Sequence, residues 1–151
     1  MLQYMFMPFQ RYVDFAGRSR RMEYWSFALL NLIVMTVLVG LAFSTGFSYR
    51  ALIAGGNFGA GLGIATISFF AILGIYWLAV LVPTIAVTVR RLHDRDMSGW
   101  WYLGFIVLGL LPLVGWLASI AFLVITFLPG TAGPNRYGED PKDPSGSEIF
   151  A

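Results

Sequence analysis

Apolar residues run without a single charged one over 24–49, 51–89 and 97–135, and the ionisable residues are confined to the gaps between these stretches and to the two ends. Each stretch exceeds the roughly 20 apolar residues that carry a helix across a ~30 Å hydrocarbon core. The pattern predicts an all-α, polytopic transmembrane bundle. Its three long apolar regions give three or four membrane segments.

The first helix is expected to start near Ser19, whose hydroxyl suits an N-cap, and to run through Trp25 and Asn31 to about Phe43. Tyr24 and Trp25 fall where an interfacial aromatic belt belongs. Residues 44–63 hold Arg50 and a glycine-rich run over 55–63, which disfavours a continuous helix and reads as a loop. No lysine follows those glycines, so they do not form a phosphate cradle. A second helix over 64–89 is roughly 39 Å long at 1.5 Å per residue and must tilt or project. Pro83 lies within it and predicts a kink near Ala79, with Thr84 and Thr88 placed to satisfy freed backbone groups.

The third region, 100–128, is about 43 Å as one helix, too long for one span. Gly109, Pro112 and Gly115 lie near its middle. Two short antiparallel helices broken near Pro112 are favoured over a single long span. Ahead of the first span, Leu2, Met5, Phe6, Phe9 and Val13 approximate an apolar helical stripe interrupted by Pro8, suited to lying on a bilayer. Residues 1–141 therefore read as one membrane domain, and 142–151 as a flexible polar tail.

Arg18, Arg20 and Arg21 before the first apolar run also suit a signal peptide. The run is longer than a 7–15-residue signal core, and Ala42-Phe43-Ser44 is a marginal cleavage site, so it reads as a retained span. Basic residues gather before the first span (Arg11, Arg18, Arg20, Arg21) and after the second (Arg90, Arg91, Arg95), against Arg50 alone between them. The positive-inside rule then places the N-terminus in the cytoplasm. A hairpin returns the tail to that side; a single third span sends it out.

Composition agrees with a membrane class: of 151 residues 58% are hydrophobic and 12% charged, against about 25% charged in soluble domains. The net charge of +2 and pI of 9.2 do not point to nucleic acid, because the basic residues flank apolar spans instead of forming a stripe. With no cysteine and the single His93, the chain offers no disulfide, thiolate chemistry, or zinc or haem ligand set. No cofactor, metal or catalytic residue is expected.

Three polar motifs stand out: Phe15-Ala16-Gly17-Arg18-Ser19-Arg20-Arg21-Met22-Glu23-Tyr24-Trp25, Arg90-Arg91-Leu92-His93-Asp94-Arg95-Asp96-Met97-Ser98-Gly99-Trp100-Trp101, and Pro129-Gly130-Thr131-Ala132-Gly133-Pro134-Asn135-Arg136-Tyr137-Gly138-Glu139-Asp140-Pro141. In this order they resemble the family called domain of unknown function 805, the YhaH-like bacterial inner-membrane proteins. The likeness extends over roughly 15–141, and the longer glycine-rich loop departs from it. The resemblance implies an inner-membrane location and a helical fold, and no established activity.

Arg90 and Arg91 at a helix end suit lipid phosphates, and also Asp94, Asp96 or Glu23. His93, Asp94 and Ser98 have the residue types of a hydrolytic triad, but neighbouring His and Asp diverge on most backbones. A satisfied interfacial histidine is the simpler reading. Ser98 suits a cap leading into the tryptophan anchor, and Arg136 suits a carboxylate in another motif. The candidate interfacial polar cluster is therefore Arg18, Arg21, Glu23, Arg90, Arg91, His93, Asp94, Ser98, Asn135, Arg136 and Asp140, knitting the motifs together on the cytoplasmic side. Expected partners are membrane lipids, anionic ones included, a second copy of the chain or another membrane protein. The leading expectation is a non-enzymatic scaffold or accessory subunit; the alternative is an oligomeric channel or small-solute transporter. A lipid-modifying enzyme using Asp94 or Glu23 lacks a nucleophile or metal set.

Overall fold

The computed structural model describes residues 2–44 and 64–142. Among them five α-helices follow one another: α1 (Leu2–Gln10), α2 (Arg21–Ser44), α3 (Ile64–His93), α4 (Trp100–Gly109) and α5 (Gly115–Phe127). The only pairing of β type among these residues is an isolated bridge between Asn135 and Gly138. The glycine-rich run over 55–63, and the tail beyond Lys142, lie outside the described residues.

The 24 residues of α2 and the 30 of α3 make helices of about 36 and 45 Å, both longer than a ~30 Å hydrocarbon core. By length and composition both are able to cross a membrane. Only 17% of the most apolar stretch of α2 and 22% of that of α3 is buried within the chain, whereas the core helix of a soluble protein would be mostly covered. Apolar surface of that extent calls for lipid or neighbouring helices.

Helix α1 runs through Pro8, which is fully buried, and Phe9 beside it packs edge-on against Phe27, with ring centres 5.3 Å apart. The start of the first long helix differs from the sequence reading. Helix α2 begins at Arg21, and Ser19 does not cap it: its hydroxyl is buried without a hydrogen-bond partner. The backbone N–H of Ser19 instead donates to the carbonyl of Arg90 at 3.1 Å.

The chain divides into two compact units, Met1–Phe27 with Val82–Ala151, and Ala28–Leu81. Inside the second, α2 and α3 run antiparallel. Tyr76 donates its hydroxyl to Asn31 Oδ1 at 2.9 Å, and Phe43 meets Phe70 edge-on at 6.2 Å. Asn31 thus links two helices, the use small polar groups commonly have between apolar ones. Helix α3 passes through Pro83 unbroken, and Thr88 one turn later donates to the carbonyl of Thr84 at 2.7 Å.

Within the first unit, the third apolar region is a helical hairpin broken over residues 110–114, as Pro112 and its glycine neighbours predict. Phe122 on α5 faces Tyr102 at 5.8 Å and Phe105 at 5.3 Å on α4. The hairpin closes glycine on glycine: a β-carbon added at Gly115 would lie 2.5 Å from the carbonyl oxygen of Gly109. Backbone cannot swing aside as a side chain does. Gly115→Ala is therefore expected to destabilise by about 1–3 kcal/mol, read as a lower thermal midpoint in detergent. Gly104→Ala, where the added methyl meets nothing within 4 Å, is expected to leave the midpoint unchanged or raise it. At 10 and 13 residues, α4 and α5 are about 15 and 20 Å long. Neither reaches across a bilayer, yet the turn between them exposes Leu110 and Leu113 at 79% and 82%.

Candidate functional site

The site grows from the last turn of α3. Successive helical residues point about 100° apart, so Arg90 and Arg91 leave the helix in different directions and meet different partners. Arg90 donates to Glu23 Oε1 at 2.9 Å, and to the carbonyls of Arg11 and Asp14, fastening the loop after α1. Arg91 reaches Asp94, one turn on. It also donates to the carbonyls of Thr126 at 3.1 Å and of Leu128. Those carbonyls end α5, where helical partners run out and the helix dipole is negative.

Asp94 is the centre. Its Oδ1 accepts from Arg18 Nε at 3.0 Å, while Oδ2 takes Arg91. Its backbone carbonyl accepts the N–H of Thr131 at 2.8 Å. Arg18 completes its own fork on the carbonyls of Gly133, at 2.6 Å, and Thr131. The side chains of Arg18, Arg90 and Arg91 are at most 1% exposed, and those of Asp94 and Glu23 are 4% and 5% exposed. Two buried guanidinium groups therefore share one carboxylate. The carbonyls of Thr126, Leu128, Thr131 and Gly133 offset the excess positive charge, as burial of an ion pair requires.

The third motif folds over this centre as a tight turn. Asn135 Nδ2 donates to the carbonyl of His93 at 2.9 Å and to Thr131 Oγ1 at 3.0 Å, and Asn135 Oδ1 accepts the N–H of Tyr137 at 2.9 Å. Gly138 closes the turn at φ 130°, a conformation open chiefly to glycine. Tyr137 stacks flat on His93, 3.8 Å between centres, and His93 Nδ1 donates to the carbonyl of Gly17 at 3.2 Å. Asp140 accepts the backbone N–H groups of Lys142 and Gly133, and the Lys142 bond foremost holds its carboxyl below the usual range.

Asp96, at φ 57°, ends α3 in a left-handed cap: Met97 N–H returns to Leu92 at 3.0 Å and Asp96 N–H to His93 at 2.9 Å. Glycine usually fills that position. Here Arg136 holds the aspartate, 3.1 Å from its Oδ1.

The structure thus brings Arg18, Glu23, Arg90, Arg91, His93, Asp94 and Asn135 together, with Asp140 bracing the turn and Arg136 at its exposed edge. Arg21 lies on the surface, and among the described residues it donates only to the carbonyl of Phe127, at 3.3 Å. Ser98 is not in the cluster; its hydroxyl accepts the N–H of Trp100 at 3.4 Å, and Gly99, not Ser98, holds the N-cap position of α4. Arg90 and Arg91 do not reach toward lipid phosphates, because both are fully buried and occupied within the chain.

Sequence reasoning named the carboxylates Glu23 and Asp94 as partners for arginine but not which backbone carbonyls share them, because main-chain oxygens have no residue-type signature. Gly130 falls inside the third motif, but the sequence does not show the demand placed on it, where an added β-carbon would sit 2.1 Å from Asp94 Oδ2. The signal available was a Pro129-Gly130 pair directly after an apolar helix.

Fold and site together define a class: an all-helical chain with two helices of membrane-crossing length and a buried arginine–carboxylate hub where α2 begins and α3 ends. The chain belongs to the family described as Protein of unknown function (DUF805), which matches residues 12–139. Inner membrane protein YhaH of Escherichia coli (strain K12) is 42% identical over 133 residues, 88% of this chain and 91% of that protein. Inner membrane protein YhaI of the same strain is 36% identical over 141 residues, 93% of this chain and 97% of that protein. Uncharacterized protein YiiR, also of strain K12, is 32% identical over 148 residues, 86% of this chain and 87% of that protein. No solved structure matches the chain.

Proposed function

We propose that the chain is a non-enzymatic scaffold or accessory subunit of the bacterial inner membrane. In this reading α2 and α3 span the bilayer, the α4–α5 hairpin enters it part-way, and the N-terminus, hub and tail share the cytoplasmic side. The inner-membrane names of YhaH and YhaI support the location. The observation that carries the reading is the internal use of the hub: Arg18, Arg90, Arg91, Glu23 and Asp94 are buried and bonded to one another or to backbone. Such groups hold elements in register, and free acids, bases or nucleophiles are what catalysis would need. The membrane-crossing stretches also lack the ionisable side chains that mark ion and proton paths.

Lipid contact then falls to other arginines. Arg20 is half-buried and has no side-chain partner among the described residues, and Arg21 is exposed. Each basic residue beside an anionic leaflet contributes about 1 kcal/mol. Arg20→Gln/Arg21→Gln is expected to weaken retention of anionic lipid by about 2 kcal/mol, roughly 30-fold, with the thermal midpoint unchanged. Native mass spectrometry of gently solubilised protein measures the retained lipid; retention equal to wild type counts against the lipid-engaging surface.

The half-length hairpin favours a second reading, an oligomeric channel or small-solute transporter, since short membrane segments that stop part-way line several transport sites. Flux of ions or small solutes through reconstituted liposomes would support it over the scaffold.

A further inference from the structure

Beside the buried ion pairs, and sharing His93 with the cluster around them, lies a cavity of about 500 Å³, within the usual size of small-molecule sites. Its walls are Phe15, Ile85, Val89, Leu103 and Ile106. It has an open side, since Leu103 and Ile106 are still 51% and 46% exposed. Arg18, Arg90, Arg91, Arg95 and Arg136 crowd the neighbouring turns, yet no arginine, lysine or carboxylate lines this space. A charged ligand would be desolvated there without a counter-charge. The site selects a neutral, largely apolar occupant.

Its polar groups are few. His93 lines the cavity, fixed in orientation by its stack on Tyr137 and by the Nδ1–H bond to Gly17. With the proton on Nδ1, Nε2 of the neutral ring is an acceptor, and it has no partner among the described residues. Ser98 also lines the cavity, and its hydroxyl proton has no acceptor among the described residues. Trp100, Tyr102 and Tyr137 add aromatic rings to the lining; among these uncharged groups the free acceptor of His93 and the free donor of Ser98 match the two capacities of one hydroxyl group.

We propose that this cavity binds a neutral long-chain lipid whose head carries a hydroxyl, with the chain against α4 and the hydroxyl donating to His93 Nε2. The choice of a lipid rests on the membrane location proposed above; the polarity and charge of the site do not.

Photocrosslinking tests it on full-length protein in phosphatidylcholine nanodiscs, using a hexadecanol analogue with a diazirine along its chain, the matching methyl ether and the matching fatty acid. The alcohol is expected to label α4 about fivefold to tenfold more than the ether, the worth of one hydrogen bond, and the acid least. Leu103→Trp, which fills the cavity, is expected to abolish α4 labelling by all three probes. His93→Phe keeps a ring against Tyr137 and is expected to bring the alcohol down to the ether. Equal labelling of wild type by alcohol and ether, preference for the acid, or labelling unaffected by Leu103→Trp would overturn the proposal. Because the label is read by position on purified protein, such a failure leaves the scaffold reading and its topology standing.

Discussion

Asp94→Ala is expected to destabilise the protein by at least about 3–5 kcal/mol, the range for removing one partner of a buried ion pair. Two guanidinium groups depend on this carboxylate, Arg18 on Oδ1 and Arg91 on Oδ2. Both are at most 1% exposed, so neither can be compensated by water. Asp94→Asn retains the shape and one acceptor and is expected to fall between alanine and wild type. The surface supplies the contrast: Arg11 and Asp14 also pair, at 2.6 Å, but with side chains 36% and 39% exposed. Breaking that pair with Arg11→Gln is expected to change stability by less than about 1 kcal/mol. Thermal unfolding in one detergent ranks the variants. An Asp94→Ala midpoint close to wild type would mean that the hub does not hold the fold.

Gly130→Ala has the second largest expected effect, and it acts on the same atoms. The added β-carbon would lie 2.1 Å from Oδ2, 2.5 Å from Cγ and 2.6 Å from Oδ1 of Asp94. The carboxylate cannot retreat without leaving an arginine, so steric strain and a lost ion pair combine to about 3 kcal/mol or more. With Asp94 already alanine, the obstructing atoms are gone. Gly130→Ala in that background is then expected to cost under about 0.5 kcal/mol, a large departure from additivity. Simple addition of the two effects would show that Gly130 is required for some reason other than room for Asp94.

Much of the helical layout was legible because charge avoids apolar spans. The first helix, expected to end near Phe43, ends at Ser44, and the second starts at Ile64 as expected. Its far end was misjudged by a turn. Arg90, Arg91 and His93 look like the start of a polar gap, but their buried partners let α3 continue to His93. The Pro112 break was readable from residue type, because proline lacks a donor and glycine weakens helices. The site was readable only as a set of residues. Which arginine met which carboxylate depended on the 100° step between Arg90 and Arg91, and most of the acceptors are main-chain oxygens, in the loop after α1 and at or beyond the end of α5. The backbone demand at Gly130 needed three dimensions to appear.

The sharing of one membrane face by the N-terminus, hub and tail is the claim on which the proposed role turns, and the natural absence of cysteine makes it directly measurable. Single cysteines at Ser44 and Ser147 would be exposed to a membrane-impermeant maleimide in spheroplasts. Labelling of Ser44→Cys in intact cells, with Ser147→Cys reacting only after permeabilisation, is the predicted result. Labelling of both in intact spheroplasts would place the tail opposite the N-terminal hub and contradict the account.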